Sequence, residues 1–270
     1  MQARPALFDL YGDYLRPRGG RAPVAALVKL LAPMGIAAPA VRTAVSRMVR
    51  QGWLHPLPLS SGPGYLLTPK AARRLDETAA RLHRTGRAPW DGRFDLVLLR
   101  RPPVPRVARR LAELGYGMIG EHSWMAARPA DEVDGLLTGA AADYERFSAS
   151  HAAGSPGAIA VAGRAWDLPA TARGYEEFVA AHRPVVSAVT VRSTDEEAYA
   201  ARFALVHAWR AFVARDPQLP TALLPSPWPG AGAAHFFDRH AARLRPAADR
   251  FVERCLASVR RGARVGFSEP

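Results

Sequence analysis

The sequence predicts an α+β protein of more than one domain, helical at both ends and mixed in the middle. Three observations predict it. Apolar residues recur at helical spacing over residues 5–50 and again over 168–182, 196–215 and 233–259. Two short apolar runs flank Ser60 to Gly64, which is a hairpin signal. Residues 94–148 alternate short β-like runs with helical ones. At 270 residues, 49% of them hydrophobic and 23% charged, the chain has room for two or three globular domains of roughly 100 to 200 residues each. The expected boundaries are 1–88, 89–165 and 166–270.

The amino-terminal elements are read in order. Over residues 5–15, PALFDLYGDYL, the side chains of Leu7, Leu10, Tyr11 and Tyr14 share one helical face, and RPRGG ends that helix. Pro23 suits the opening of a second helix with Leu27, Leu30 and Leu31 as its buried stripe, stopped by Pro33 and Gly35. After a tight turn, Ile36 to Pro39, a third helix places Val41, Ala44, Val45, Met48 and Val49 on an apolar face. Arg42, Thr43, Ser46, Arg47 and Arg50 fall on the opposite one. Two short helices, a turn and a basic third helix form the helix-turn-helix order. WLHPLPLSSGPGYLLTP then predicts a hairpin in the place of a wing. Pro69 to Arg84 reads as a further helix, and TGRAPWDGR as a linker.

Periodicity alone is equally compatible with a solvated basic face. The charge distribution separates the two readings. Residues 1–90 hold 14 Lys and Arg against 4 Asp and Glu, a net of +10, while the other 180 residues hold 23 against 20, a net of +3. A basic amino-terminal module beside a near-neutral remainder is the footprint of a nucleic-acid-binding domain. Guanidiniums and hydroxyls on a third helix suit guanine edges and phosphates in a major groove. Arg42, Thr43, Ser46 and Arg47 are therefore assigned to base edges, and Arg16, Arg18, Arg21 and Arg50 to phosphates. No Lys or Arg lies between Trp53 and Thr68, so the third helix and the RPRGGR loop must supply most of the grip on double-stranded DNA.

In the middle segment, FDLVLL at 94–99 is β-like, VPRVARRLAELG is helical to Gly115, and YGMIGEHSWMAAR holds two short runs around Gly120. DEVDGLLTGAA is a weaker helix. A last strand falls at Tyr144 to Ser148 or at Ala158 to Ala162. The order βαββαβ is the ferredoxin-like signature. Further on, residues 168–182 are helical, Thr194 and Glu197 form a capping box ahead of a long helix, and four prolines at 220, 225, 227 and 229 mark a loop. The last helix is expected to break near Pro246.

Several chemistries are excluded. One cysteine, Cys255, allows no intrachain disulfide and no cysteine-rich zinc site, and reads as a small core residue. The eight histidines show no metal-ligand spacing. Gly115, Gly117 and Gly120 match GxGxxG, but the loop follows a helix and leads into β-like residues, the reverse of a dinucleotide site. No carboxylate pair or nucleophile elbow is present, and Asp95 reads as structural. No catalytic residue, metal or cofactor is therefore expected. No apolar run is long enough to span a bilayer, and the start lacks a leader-like apolar segment, so a cytoplasmic protein without membrane partners is expected.

The stretches FDLYGDYLRPRGG, ALVKLLAPMGI, AVRTAVSRMVRQGWL and YLLTP resemble the amino-terminal domain of the PaaX family of bacterial transcriptional regulators. WDGRFDLVLL, RAWDLPATARGYEEF and LVHAWRAFVARDPQLPTALLPSPWPG extend the resemblance over nearly the whole chain. It implies a winged helix, a middle domain similar to the Cas2 fold, a helical carboxy-terminal domain, and homodimeric repressors released from DNA by an aryl-CoA thioester, typically phenylacetyl-CoA. With that ligand implied, His207, Trp209 and Arg210 become candidates for its pocket, since arginine suits its phosphates and aromatic rings its acyl group. The plainer reading of His207 is a core-facing ring satisfied by a backbone carbonyl. A rival function keeps the fold but drops the DNA role, leaving an acyl-CoA-binding protein or a small-molecule biosynthetic enzyme; the uncharged hairpin motivates it.

Overall fold

The computed structural model describes residues 1–83, 89–152, 157–213 and 215–265, with side chains described except at 77–83 and 260–265. The first residues of the expected linker, 85–88, lie outside the described residues. The chain divides into two compact units. One comprises Met1–Ala80, Val179–Trp209 and Ala234–Pro270, and the other Arg81–Phe178 and Arg210–Ala233. The expected third domain, 166–270, is thus shared between both units.

In the first unit, α1 (Ala3–Leu10) runs on through a π-helical turn, Tyr11–Leu15, and a 3-10 turn, Arg16–Arg18. Gly19 and Gly20 at φ +86° and +64° then reverse the chain into β1 (Arg21–Pro23). Next come α2 (Val24–Leu31) and α3 (Ala38–Arg50), which buries Val41, Ala44, Val45 and Met48 as the spacing requires. The hairpin is β2 (Leu54–Leu59) and β3 (Gly62–Leu67), turning at Ser60 and Ser61. Its register is tighter than the Ser60 to Gly64 loop expected, and β1 adds a third strand in the order β1-β3-β2. Pro56 and Pro58 are tolerated because β2 is an edge strand with no outer neighbour to lose a bond. Helix α4 (Pro69–His83) follows.

The core of this unit is not local. Leu7, Leu10, Leu27, Leu30, Val41 and Met48 are joined by Tyr199 and Phe203 and by Ala248, Phe251 and Val252. These last five come from α9 (Asp195–Val213) and α10 (Gly230–Val265). The expected break in α10 does not occur: the helix runs through Pro246, as α8 (Leu168–Ala188) runs through Pro184. An interior proline costs roughly 3 kcal/mol or more. Leu244, Ala248 and Val252, buried on either side of Pro246, offset that cost. Thr194 caps α9 as expected: Glu197 N–H donates to Thr194 Oγ1 at 3.2 Å, and Thr194 N–H donates to Glu197 Oε2 at 2.7 Å.

The second unit holds β4 (Arg93–Leu99), α5 (Pro105–Glu113), β5 (Gly117–Gly120), β6 (Ser123–Ala126), α6 (Glu132–Gly139) and β7 (Tyr144–Ser150). All paired strands are antiparallel, in the order β5-β6-β4-β7. The last strand is thus the 144 stretch, and Ala158–Ala165 forms helix α7 instead. Val97, Leu99 and Trp124 pack with α5 and α6, whereas Phe94 and Met125 pack with Ala162, Leu168, Leu219 and Leu223. The three glycines of the GxGxxG match serve packing. Gly115 closes α5 at φ +91°, and a Cβ on Gly117 would lie 2.5 Å from the Ala165 carbonyl. Gly120 sits beside a register shift. Asp95 is buried and accepts from Tyr116 Oη and from Arg146 Nε at 3.0 Å, while Arg146 also reaches Asp134 at 2.5 Å.

Because α9 completes the amino-terminal core, Phe203→Ala is expected to cost about 3 to 5 kcal/mol and to lower the melting temperature of the whole first unit. A denaturant titration followed by circular dichroism measures it; a loss near zero would mean that this core closes without α9.

Candidate nucleic-acid interface

The α3 helix starts at the Ala37 cap with Pro39 in its first turn and ends at Gly52, whose φ of +71° turns the chain into β2. Its apolar stripe is held down by α1 and α2, so its other face is left to solvent. Arg42, Thr43, Ser46, Arg47 and Arg50 are all exposed on that face. They stand on a helix fixed from behind, which is the arrangement a base-reading element needs. The start of β2 is anchored nearby: Trp53 meets Phe8 edge-on at 5.5 Å, and Lys70 Nζ lies 4.3 Å from the Trp53 ring.

The loop arginines divide. Arg21 is exposed, and Arg16 makes a solvent-exposed pair with Asp76 at 2.6 Å. Arg18 is different. It donates to Glu253 at 2.5 Å, to Asp249 at 3.1 Å and to the Tyr14 carbonyl at 2.8 Å, and those carboxylates raise its pKa against the opposing effect of its burial. This pairing competes with the phosphate contact expected of Arg18, since its donors are engaged by two carboxylates and a carbonyl.

Arg18 belongs to a network between α1 and the late helices. Arg202, only 6% exposed, donates to Asp13, to Tyr14 Oη at 2.7 Å and to the Ala241 carbonyl at 3.0 Å. Arg245 bridges Asp13 and Asp249. His207 Nδ1 lies 2.5 Å from Asp9. Sequence reasoning missed these roles, although Asp9 and Asp13, four apart on an otherwise apolar helix, are the pattern of carboxylates with internal partners. Burial pushes the Tyr14 phenol up to about 12, with the Arg202 charge opposing it. The same cause raises Tyr11.

Two of the expected effector residues have partners within the first unit. His207 is turned to Asp9, and Trp209 is buried and stacked on Phe237 at 4.8 Å. Arg210 belongs to the other unit. Cys255 is buried, and burial raises its thiol pKa. Among the described residues no cluster of His, Cys, Asp or Glu could hold a metal, and no helix is long and apolar enough to cross a membrane.

Two antiparallel sheets and a three-helix amino-terminal unit with an exposed basic helix define a multidomain α+β protein. The family model described as PaaX-like protein matches residues 2–71, and that of the PaaX-like protein C-terminal domain matches residues 166–254. The chain is 30% identical over 261 residues to the transcriptional repressor PaaX of Escherichia coli strain K12, covering 90% of this chain and 81% of that protein. It belongs to the PaaX family. The structure of the uncharacterized protein Rv0674 from Mycobacterium tuberculosis shares the fold, with a TM-score of 0.64 at 23% identity over 93% of this chain and 98% of that one.

Two outcomes follow from the network. Arg18→Ala is expected to lower stability by about 1 to 3 kcal/mol, because it leaves Asp249 and Glu253 facing each other, and to leave the salt slope of DNA binding unchanged; a flatter slope at wild-type stability would return Arg18 to the phosphates. For Tyr14, the unfolded phenol ionises near 10 and the folded one near 12. Stability is then fully present below pH ~10 and falls by about 2 to 3 kcal/mol as pH rises to ~12. Urea melts across that range, compared with Tyr14→Phe, measure the share due to this group.

Proposed function

We propose that this protein is a DNA-binding transcriptional regulator that acts as a repressor, binds its operator as a homodimer, and is released by a small effector such as an aryl-CoA thioester. The observation that carries this reading is the exposed face of α3. Arg42, Thr43, Ser46, Arg47 and Arg50 all reach solvent, while Arg18, Arg202 and Arg245 of the same unit are tied to carboxylates. In this reading α1 to α3 with the β1-β3-β2 sheet form a winged helix-turn-helix, and β4 to β7 with α5 and α6 form a ferredoxin-like domain similar to Cas2. Membership in a family that includes a transcriptional repressor supports the same function.

Arg42, Thr43, Ser46 and Arg47 read base edges in this proposal, and Arg16, Arg21 and Arg50 hold phosphates. Two third helices then enter successive major grooves of a near-palindromic site. One observation favours the rival reading of an acyl-CoA-binding protein or a small-molecule enzyme without DNA: the hairpin from Leu54 to Leu67 carries no Lys or Arg.

Arg47→Ala is expected to weaken operator binding by about 1 to 3 kcal/mol and to relax specificity, whereas Arg50→Ala weakens all sequences alike and lowers the salt slope by about one. Fluorescence anisotropy with DNA from around the protein's own gene, at ~50 and ~200 mM salt, separates the two. Absence of a specific complex at the lower salt would overturn the regulator reading in favour of its rival.

A further inference from the structure

A cleft of about 540 Å³ opens in the first unit between the loop before α2, the tip of the hairpin and the end of α10. Its size falls in the range of small-molecule sites. Its walls are of two kinds. Leu59 and Leu256 supply an apolar side. The Leu59 side chain lies over Gly64 of β3, where a Cβ would come within 2.4 Å of Leu59 Cδ1. Ser60 and Ser61 at the hairpin turn and Arg21 on β1 supply the polar side.

The arginines on the two sides of this cleft are not equivalent. The guanidinium of Arg18 is held by Glu253 and Asp249, so its charge is already met within the wall. Arg21 is exposed and has no carboxylate partner among the described residues. A free guanidinium beside two hydroxyls, facing an aliphatic surface, recognises a molecule with an anionic head and an apolar body.

We propose that this cleft receives the effector, a small amphiphilic anion, and that Arg21 is the residue for which the effector and a DNA phosphate compete. The assignment rests on the reading of the chain as an effector-controlled DNA-binding protein. It gives that control a local mechanism. With the cleft empty, Arg21 extends to the phosphate backbone beside α3. With the cleft filled, Arg21 turns to the ligand's anion, Ser60 and Ser61 close on it, and the hairpin tip is held toward α10. One phosphate contact is lost and the hairpin is moved, so operator affinity falls without any change in the base-reading face. Because the cleft is open at one side, a carboxylate head and the phosphates of a CoA thioester share the chemistry Arg21 needs.

The test uses the full chain and three probes: phenylacetate, CoA and phenylacetyl-CoA. Calorimetry on the wild type identifies which of them binds, and so whether carboxylate or phosphate supplies the anion. Ser60→Trp, which fills the cleft without touching a charge, is expected to weaken that probe by about tenfold or more while the protein still binds operator. Arg21→Ala is expected to weaken both the probe and the operator. Hydrogen exchange on the wild type is expected to slow at residues 57–62 and 253–256 when the probe is added, a readout that stands even if Ser60→Trp does not fold. Equal probe affinity in wild type and Ser60→Trp, or protection confined to other segments, overturns the site while leaving the effector reading intact. Binding of none of the three probes to the wild type overturns both.

Discussion

The pairing of Arg202 with Asp13 is the constraint on which the first unit depends. A guanidinium and a carboxylate removed from water are each costly alone, so the chain folds only where each finds the other. Asp13 lies on the turn that prolongs α1, and Arg202 lies on α9, 189 residues away. Their meeting fixes how α1 lies against the late helices, and the cores of both follow: the Tyr14 ring meets Tyr199 at a tilt with centroids 5.4 Å apart, and Tyr199 meets Phe251 at 4.9 Å. Such a pair adds less to net stability than its geometry suggests, but it excludes other registers of the same apolar surfaces.

That constraint also sorts the arginines. The unit is rich in guanidiniums, and Asp13, Asp249 and Glu253 engage three of them, Arg18, Arg202 and Arg245. Asp195 likewise takes Arg250 and Arg254. Among the described residues the α3 face receives no such partners, so its positive charge remains available to an anion. Charge counting by sequence position puts Arg16, Arg18 and Arg21 in one group, whereas their environments differ: Arg16 pairs with Asp76 in solvent, Arg18 is held by Asp249 and Glu253, and Arg21 is exposed.

The second unit repeats the logic on a smaller scale. Asp95, on the central strand β4, is satisfied by Tyr116 and Arg146, and Arg146 is shared with Asp134 on α6. The structural reading of Asp95 is thereby given its partner, a cation of the chain itself. The glycines that imitate a nucleotide loop are explained by a left-handed helix end at Gly115 and by the close approach of α7 to β5 at Gly117.

Local pattern was enough for much of this. The stripe of Val41, Ala44, Val45 and Met48 dictates which face of α3 is buried, and Arg42, Thr43, Ser46, Arg47 and Arg50 are exposed for the same reason of helical period. The hairpin, the Thr194 cap and the helix end at Gly115 were equally legible, because each rests on residues within a few positions of one another. What the sequence could not decide depends on partners far along the chain. Pro246 sits inside a helix because Leu244, Ala248 and Val252 around it are buried, which a local rule does not weigh. Residues 144–150 became the last strand because β4 offers them an edge with Phe94 to Leu99 in register. Arg18 ties the loop to α10 because Glu253, 235 residues away, folds back beside it. Periodicity determined which side chains face inward; only the tertiary structure decided which inward and half-buried charges meet, since that depends on long-range packing that no local spacing encodes.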